Sequence, residues 1–387
     1  MRQARVAVTR LDRWVGGLAI ALAAFAGVLL WASQGVVAPP RPKISDSHVA
    51  SVGLGLRENA KGSLTVARAI EGAAHAGLKG GDRIIAIDEL RDPSETTFQA
   101  YLATRGDGDS VRIEARRGSD GVLADVPVAV RAESPKDEGL PYEDVTFRNP
   151  SGLTLRGWYI PPPADGSGRA PAIAWGHGNA ADRRHMLREA LPVHEAGFAQ
   201  ILFDFTGRGE SDGDVISLGF HEAGDLRAAL DVLTARPEVD PRRLALGGRS
   251  MGAVAAILEA ADDPRVEALA LDSPYADLTK TVDRAIGHMH LPAFLIGPTL
   301  LKLAGWRANY DPSAVSPEKT IRKVKAPVFL LHGAVDDIVP VSDALALKAA
   351  AGGKVTLVTL DGQGHNSPRP QEALDRMAAF LKASVGN

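Results

Sequence analysis

The chain contains no cysteine. This absence excludes disulfide bonds, metal sites built on thiolates and a cysteine nucleophile, although it does not fix the compartment. The net charge is also small, at −3. Because nucleic-acid binders are usually basic, this value argues against a general nucleic-acid binder. The sequence has no HExxH helix and no calcium loop, and its glycine-rich stretch GRGESDG (residues 207–213) lacks the lysine of a phosphate-binding loop. His288 and His290 have no third ligand nearby. We therefore expect no metal and no cofactor.

Length and composition indicate more than one folded unit. The chain has 387 residues, of which 45% are hydrophobic and 24% are charged. This composition differs from that of disordered and fibrous proteins and is sufficient for a buried core. Because the chain is longer than most single domains, we expect two folded units.

A stretch near the N-terminus carries no charge. Four arginines lie within the first thirteen residues, and no charged residue occurs between Trp14 and Arg41. The apolar run is about 18 residues long, near the ~20 residues that span a bilayer. We predict a cytoplasmic tail at residues 1–13, a transmembrane anchor at 14–33 and a linker at 34–48. The rest of the chain would then lie outside the cytoplasm. The many alanines and arginines are typical of a bacterial protein, in which this compartment would be the periplasm.

Two alternatives compete with the anchor. A secretory signal peptide would be cleaved, but the best cleavage site, after Ala38, is followed by Pro39. A buried core helix would be expected to show a polar face, and the residues from Val15 to Trp31 show none. The anchor is therefore the preferred interpretation, with secretion after signal cleavage as the alternative.

Residues 49–132 have the pattern of a small β-rich domain. Short strand patterns follow the run VGLGL, and a helix is predicted over residues 93–106, starting at Asp92 or Ser94. VGLGL, followed by GAAHAGLKGGDRIIAIDE and a later GDSV, resembles a PDZ domain of the bacterial type.

The resemblance implies a site for a peptide C-terminus. The backbone amides of Leu54, Gly55 and Leu56 would bind the peptide carboxylate in a glycine-containing loop, and the peptide would add as a strand beside Leu56. Thr97 and Tyr101 are candidate groove walls, with a solvated helix face as the alternative. A PDZ fold that only positions the next domain is a further alternative.

After a polar, proline-bounded segment at 133–141, which is typical of a linker, strands alternate with helices over residues 142–387. Eight strand patterns are recognisable: YEDVTF, LTLRGWYI, APAIAWGH, FAQILFD, RLALGG, VEALALD, APVFLLH and KVTLVTL. This alternation predicts an α/β fold with a mostly parallel sheet covered on both faces. In such a sheet the chemistry lies at the carboxyl ends of the strands.

Ser250 is the candidate nucleophile. GGRSMG follows the apolar LAL and runs into AVAAILEA, which is the strand, sharp turn and helix that a GxSxG motif requires. A serine hydroxyl needs a base held by an acid. His365 follows the last strand pattern, and Asp336 follows APVFLLH. Asp337 and Asp272 are the alternatives for the acid.

Residues 141–387 resemble an α/β-hydrolase of the branch that includes bacterial esterases, prolyl-oligopeptidase-like and serine-aminopeptidase-like enzymes. The motifs GHGNAADRR, FDFTGRGESDG, GGRSMG, LDSPYADL, HGAVDDIVP and GQGHN carry this resemblance. It implies Ser250 as nucleophile, Asp336 as orienting acid and His365 as general base. The amides of Met251 and Asn179 are the predicted oxyanion hole, and His177 is expected to order the loop that presents Asn179.

A long segment at about residues 275–320 interrupts the alternation and is predicted to form a helical lid, or else a plain helical insertion. We expect a membrane-anchored serine hydrolase that cleaves small ester or amide substrates. A peptidase of the same fold and an inactive PDZ scaffold are the alternatives.

Overall fold

The structure is a computed structural model. It describes residues 32–33, 37–38, 49–51, 54–59, 63–69, 73–74, 76–102, 105, 109–131, 134–164, 168–288 and 291–385. The predicted anchor therefore lies outside the described residues, apart from Ala32 and Ser33. Among the residues that the structure describes, no helix has both the length and the apolar character to cross a bilayer.

The N-terminal region forms the small β-rich unit expected from the strand patterns. Its elements are β1 (Val49–Ser51), β2 (Leu54–Glu58), β3 (Leu64–Ala69), β4 (Arg83–Ile87), β5 (Leu90–Arg91), α1 (Glu95–Leu102), β6 (Ser110–Arg117), β7 (Asp120–Pro127) and β8 (Ala129–Arg131). The main sheet has the antiparallel order β2-β3-β4-β6-β7, and β1 pairs with β8. Helix α1 begins after Ser94, whose hydroxyl accepts the amide of Thr97 at 3.2 Å.

The segment predicted as a linker, residues 133–141, contains ordered structure where it is described. Residues Pro135–Glu138 form a 3-10 turn, and the Asp137 carboxylate accepts the backbone amide of Ser134 at 2.9 Å. Leu140 is buried against the core that contains Trp158. Polar and proline-rich composition is common to flexible linkers and to capped turns, so composition alone did not distinguish them.

The C-terminal region forms an eight-stranded sheet with the order β16-β15-β14-β13-β11-β12-β10-β9. Its strands are β9 (Glu143–Arg148), β10 (Thr154–Ile160), β11 (Ala170–Gly176), β12 (Ala199–Phe203), β13 (Val239–Arg249), β14 (Val266–Asp272), β15 (Val328–Gly333) and β16 (Val355–Leu360). Each corresponds to one of the eight predicted strand patterns. Pairing is antiparallel for β9, β10 and β12 and parallel from β12 through β16. This is the sheet of the predicted α/β-hydrolase fold.

Helices cover both faces of this sheet. They are α2 (Leu187–Glu195), α3 (Phe220–Thr234), α4 (Met251–Ala260), α5 (Leu278–His288), α6 (Ala293–Ala308), α7 (Pro317–Thr320), α8 (Val341–Ala350) and α9 (Gln371–Val385). Helices α3 and α4 bury their apolar residues on one face, whereas α2 and α9 cover the other. The central strands are buried on both faces, which explains why their sequences are continuously apolar.

The segment between β14 and β15 is helical, as predicted. It contains α5, α6, a 3-10 turn at Pro312–Ala314 and α7. It follows the carboxyl end of β14, the edge of the sheet where Ser250, Asp336 and His365 also lie.

Candidate active site

Ser250 lies on a sharp turn between β13 and α4. Its φ of 52° and ψ of −116° are strained for a residue with a side chain. A Cβ atom on Gly252 would overlap the carbonyl oxygen of Gly176, and one on Gly248 would lie 2.5 Å from the carbonyl carbon of Gly252. Both glycines are therefore needed for close backbone approach, which holds the serine at the end of its strand.

The structure brings His365 and Asp336 to this serine. His365 Nε2 lies 3.1 Å from Ser250 Oγ, and His365 Nδ1 lies 2.7 Å from Asp336 Oδ2. An ionised Asp336 accepts a hydrogen bond from the N–H at Nδ1, so Nε2 keeps its lone pair and can accept the serine proton. The three side chains therefore form a continuous hydrogen-bonded series.

Asp336 is held as a carboxylate. Burial raises the pKa of its carboxyl, but the hydrogen bond and positive field of His365 and the amide of Val339 outweigh burial and hold the pKa below its usual value. The Val339 amide donates to Asp336 Oδ1 at 2.7 Å, and the Ile338 amide does so at 3.0 Å. The neighbouring Asp337 is exposed, so the structure brings Asp336 and not Asp337 to the histidine.

The two amides predicted for the oxyanion hole lie on adjacent segments. Met251 is the first residue of α4, and the first amides of a helix have no acceptor within it. Asn179 follows β11, which pairs with β13 so that Gly176 lies opposite Gly248. The loop after β11 therefore runs beside the start of α4, and Asn179 is exposed there.

His177 holds that loop in place. It is fully buried, its Nε2 accepts the Phe205 amide at 3.1 Å, and its Nδ1 donates to the Gly178 carbonyl at 2.8 Å. Burial lowers the pKa of His177, so the ring is neutral. Both ring nitrogens are occupied by the backbone, which agrees with the structural role predicted for this residue.

A buried ionic cluster lies next to the hydrogen-bonded side chains of Ser250, His365 and Asp336. The sequence pattern did not predict this cluster. Arg369 binds both carboxylate oxygens of Asp272 at 2.8 Å and donates to the Gly364 carbonyl at 3.0 Å. Arg249 donates to the carbonyl oxygens of His365 at 2.5 Å and of Ser367 at 3.2 Å. Asp272 thus pairs with arginines and not with His365, which removes it as the alternative acid.

Asp272 also contacts Ser250 through its backbone. Its carbonyl oxygen accepts the Ser250 amide at 2.8 Å. Burial raises the pKa of its carboxyl, but Arg369 and Arg249 outweigh burial and hold the pKa far below its usual value. One residue of β14 is therefore bonded to the serine turn and, through Arg369, to the histidine loop. The arginine before Ser250 in GGRSMG, the arginine after HNSP and the first aspartate of LDSPYADL were the sequence signals of this cluster.

The predicted peptide site lies in the N-terminal sheet. Leu54, Gly55 and Leu56 begin strand β2, whereas a loop was expected, and β2 is an edge strand of its sheet. The pairing with β3 shifts register between Gly55 and Leu56. Of the two candidate groove residues, Thr97 is exposed, and the Tyr101 hydroxyl donates to Asp88 at 3.0 Å.

Metal ligands were not expected from the sequence. Within the described ranges, no three His, Asp or Glu side chains are grouped so that they could hold a metal ion. His288 is exposed at the end of α5, and His290 lies outside the described residues.

Comparison with known proteins identifies one family and several similar proteins. The model of the prolyl oligopeptidase family matches residues 189–387, just over half of the chain. An uncharacterised protein of Mycobacterium tuberculosis is 35% identical over 241 residues, which cover 62% of this chain and 78% of that protein. An α/β-hydrolase domain-containing protein of Arabidopsis thaliana is 30% identical over 54% of this chain and 66% of that protein. A Pyrococcus furiosus esterase superposes with a TM-score of 0.52 at 25% identity, over 65% of this chain and 96% of that chain.

Proposed function

The chain belongs to the prolyl oligopeptidase family, and from that premise we propose that it is a serine hydrolase that cleaves carboxylic ester or amide bonds. The observation that carries the proposal is the hydrogen-bonded series from Ser250 Oγ through His365 to Asp336, with distances of 3.1 and 2.7 Å. A weak nucleophile, a base within reach of its proton and an acid that orients the base are the parts that acyl transfer requires.

In the proposed mechanism, His365 Nε2 takes the proton as Ser250 Oγ attacks the substrate carbonyl. The ionised Asp336 stabilises the imidazolium, which then returns the proton to the leaving alcohol or amine. The acyl group remains on Ser250 until a water molecule, deprotonated by His365, attacks it and the acid is released. The amides of Met251 and Asn179 bind the oxyanion in both tetrahedral intermediates.

Ser250→Ala tests the mechanism. We expect the variant to lose labelling by a fluorophosphonate probe and turnover of short p-nitrophenyl esters, because no other hydroxyl replaces Oγ in the series. Ser313→Ala changes an exposed serine in a 3-10 turn and serves as the matched control. Activity retained in Ser250→Ala would contradict the mechanism. Wild-type protein that folds but is not labelled would favour an inactive scaffold.

Ester and amide substrates remain to be distinguished. The similarity to the Pyrococcus furiosus esterase supports esters. The match to the prolyl oligopeptidase family model supports a second candidate function, the cleavage of short peptides. The ratio of kcat/KM for acyl esters to that for aminoacyl or peptidyl anilides, measured on wild-type protein, decides between them.

We further propose that the N-terminal β-rich unit is a PDZ domain that binds protein C-termini. The edge position of β2 supports this proposal, since a peptide can add as a strand there. Peptides with a free carboxylate should bind, and the same peptides with a terminal amide should not. Equal binding of both would contradict carboxylate capture and favour a unit that only positions the hydrolase.

Residues 14–33 are proposed to anchor the protein in the bacterial inner membrane with the hydrolase in the periplasm. The length of the uncharged stretch and the arginines before it support this proposal. Resistance to alkaline extraction, together with degradation of the hydrolase by protease added to spheroplasts, is the expected result. Release of a shortened, soluble form would indicate signal cleavage instead.

A further inference from the structure

A short segment after the predicted anchor is fixed to helix α6. Val37 is fully buried and packs against Ala304 and Ala308 of that helix. Its carbonyl oxygen accepts the Ile216 amide at 2.6 Å. Residue 37 is therefore held between α6 and the segment at Ile216.

This contact limits how far α6 can lie from a bilayer. The proposed anchor ends at Ser33, and the four residues from there to Val37 span at most about 14 Å. The carboxyl-terminal half of α6 must then lie within that distance of the end of the anchor.

Helix α6 also carries an exposed row of residues. Phe294, Pro298, Lys302 and Trp306 are spaced four apart and are all exposed, so they form one ridge about 18 Å long that winds around about a third of the helix. We name this ridge the α6 stripe. The side chains at its two ends are the most exposed large apolar ones of the described residues: Phe294 is 77% exposed and Trp306 is 75% exposed.

The chemistry of the stripe matches a membrane interface. Aromatic side chains settle at the level of lipid headgroups, and lysine extends its ammonium towards lipid phosphates. Helix α6 contains no acidic residue, and its charged residues are Lys302 and Arg307. A basic helix of this kind is attracted to anionic lipid although the whole chain has a net charge of −3.

We propose that the α6 stripe lies in the headgroup region of the membrane beside the anchor. The inference rests on the proposed anchor. The bilayer is preferred over a protein as the occupant because the tether at Val37 keeps α6 near the end of the anchor. The local concentration of lipid is then high enough for a short stripe to bind.

The absence of cysteine makes the test direct, because a single introduced cysteine is the only labelled site. Pro298→Cys lies at the centre of the stripe and leaves both aromatic residues and Lys302 in place. Ala235→Cys is the matched control: it is exposed on the connection into the amino end of β13, at the opposite edge of the sheet. Each full-length variant carries a polarity-sensitive nitrobenzoxadiazole probe and is reconstituted in vesicles of phosphatidylcholine and phosphatidylglycerol.

Nitroxide-labelled lipid should quench the probe at residue 298 severalfold more than the probe at residue 235, with a blue shift at 298 alone. Adding Phe294→Ser and Trp306→Ser to Pro298→Cys should remove the difference. Equal quenching at both sites in vesicles that carry the protein overturns the inference and leaves the anchor standing. A probe at 298 that is shielded from iodide but not quenched by lipid also overturns it, because a protein then covers the stripe.

Flotation and fluorophosphonate labelling test the anchor and the hydrolase activity separately from the α6 stripe. Protein that fails to float with the vesicles contradicts the anchor and, with it, the inference about α6. Fluorophosphonate labelling of Ser250 in the same samples reports the hydrolase separately. If the fluorophosphonate labels Ser250 but lipid does not quench the probe at 298, the inference about the α6 stripe is wrong and the proposed hydrolase chemistry is unaffected.

Discussion

Arg369→Met removes the side chain that joins the histidine loop to the strand beneath Ser250. Asp272 would keep the Ser273 hydroxyl at 3.0 Å and Arg249, whose Nε lies 3.5 Å from the carboxylate, but it would lose two bonds of 2.8 Å. The Gly364 carbonyl would lose its donor as well. Removing one partner of a buried ion pair costs about 3–5 kcal/mol, and the remaining arginine places this case near the lower end, at about 3 kcal/mol.

We expect Arg369→Met to lower the rate of catalysis because His365 would be displaced. The series depends on a contact of 3.1 Å between His365 Nε2 and Ser250 Oγ, and a displacement near 1 Å costs about 10²-fold in rate. We expect kcat for a p-nitrophenyl ester to fall by about that factor while KM changes little, because Arg369 is buried and does not line a surface that substrate reaches. The rate of fluorophosphonate labelling should fall in parallel.

The loss of stability should depend on pH. In the wild type the pKa of Asp272 lies below its unfolded value, so the ionised carboxylate adds stability above pH about 4, which is lost as the pH falls through the folded pKa. Without Arg369 the folded pKa rises. The deficit of the variant relative to the wild type should therefore be largest above the folded pKa of Asp272 in the variant, and it should shrink as the pH falls from there towards the lower folded pKa of the wild type.

Arg227→Met is the matched control. Arg227 binds both oxygens of the buried Glu259 at 2.7 and 3.0 Å, and this pair joins α3 to the carboxyl-terminal end of α4, remote from Ser250. Arg227→Met should lose less stability than Arg369→Met, because the Arg227 side chain is 47% exposed. It should keep the wild-type kcat. Chemical denaturation and ester turnover measure both quantities. Equal loss of kcat in the two variants, or wild-type kcat in Arg369→Met, would refute the positioning role.

Two further predictions concern the serine turn and its base. Gly252→Ala should destabilise the protein by about 2–4 kcal/mol and abolish ester turnover, because its Cβ would overlap backbone atoms. Gly287→Ala, at an open position near the end of α5, should be neutral or stabilise by up to about 1 kcal/mol in the same denaturation assay. Asp336→Asn should lower kcat by about 10³–10⁴-fold with little change in fold, because the histidine loses the acceptor that fixes its tautomer. A loss below tenfold would mean that another acid orients the base.

The parts predicted from the sequence are those encoded by local pattern. The central strands were visible because buried parallel strands are continuous apolar runs, whereas the antiparallel edge strand β9 was visible as a short run in which polar and apolar residues alternate. Ser250 was visible because its turn needs glycines two residues away on each side. Asp336 and His365 were found because each directly follows a strand, and parallel strands bring their carboxyl ends to one edge.

The cluster of Arg249, Asp272 and Arg369 could not be predicted in the same way. Asp272 and Arg369 are 97 positions apart, and in sequence a buried arginine looks like a solvated one. Val37 and Leu140 were missed for a related reason. Leu140 is an isolated apolar residue in a polar stretch, and Val37 lies in an uncharged stretch just before two prolines. Only the tertiary structure shows that each is buried in a core.

Asp272 joins the serine turn to the histidine loop. This connection affects which parts of the sequence can change during evolution. The bonds that align Ser250 and His365 come from β13, β14, Asp336 after β15 and the loop at residues 364–369. The helical insert between β14 and β15 is therefore free to change in length and sequence while the reacting groups keep their geometry. We expect that relatives with this sheet edge can carry different inserts, and act on different substrates, while the reacting groups stay in place. Chimeras that carry the insert of a relative should accordingly retain the labelled serine even where their substrates differ.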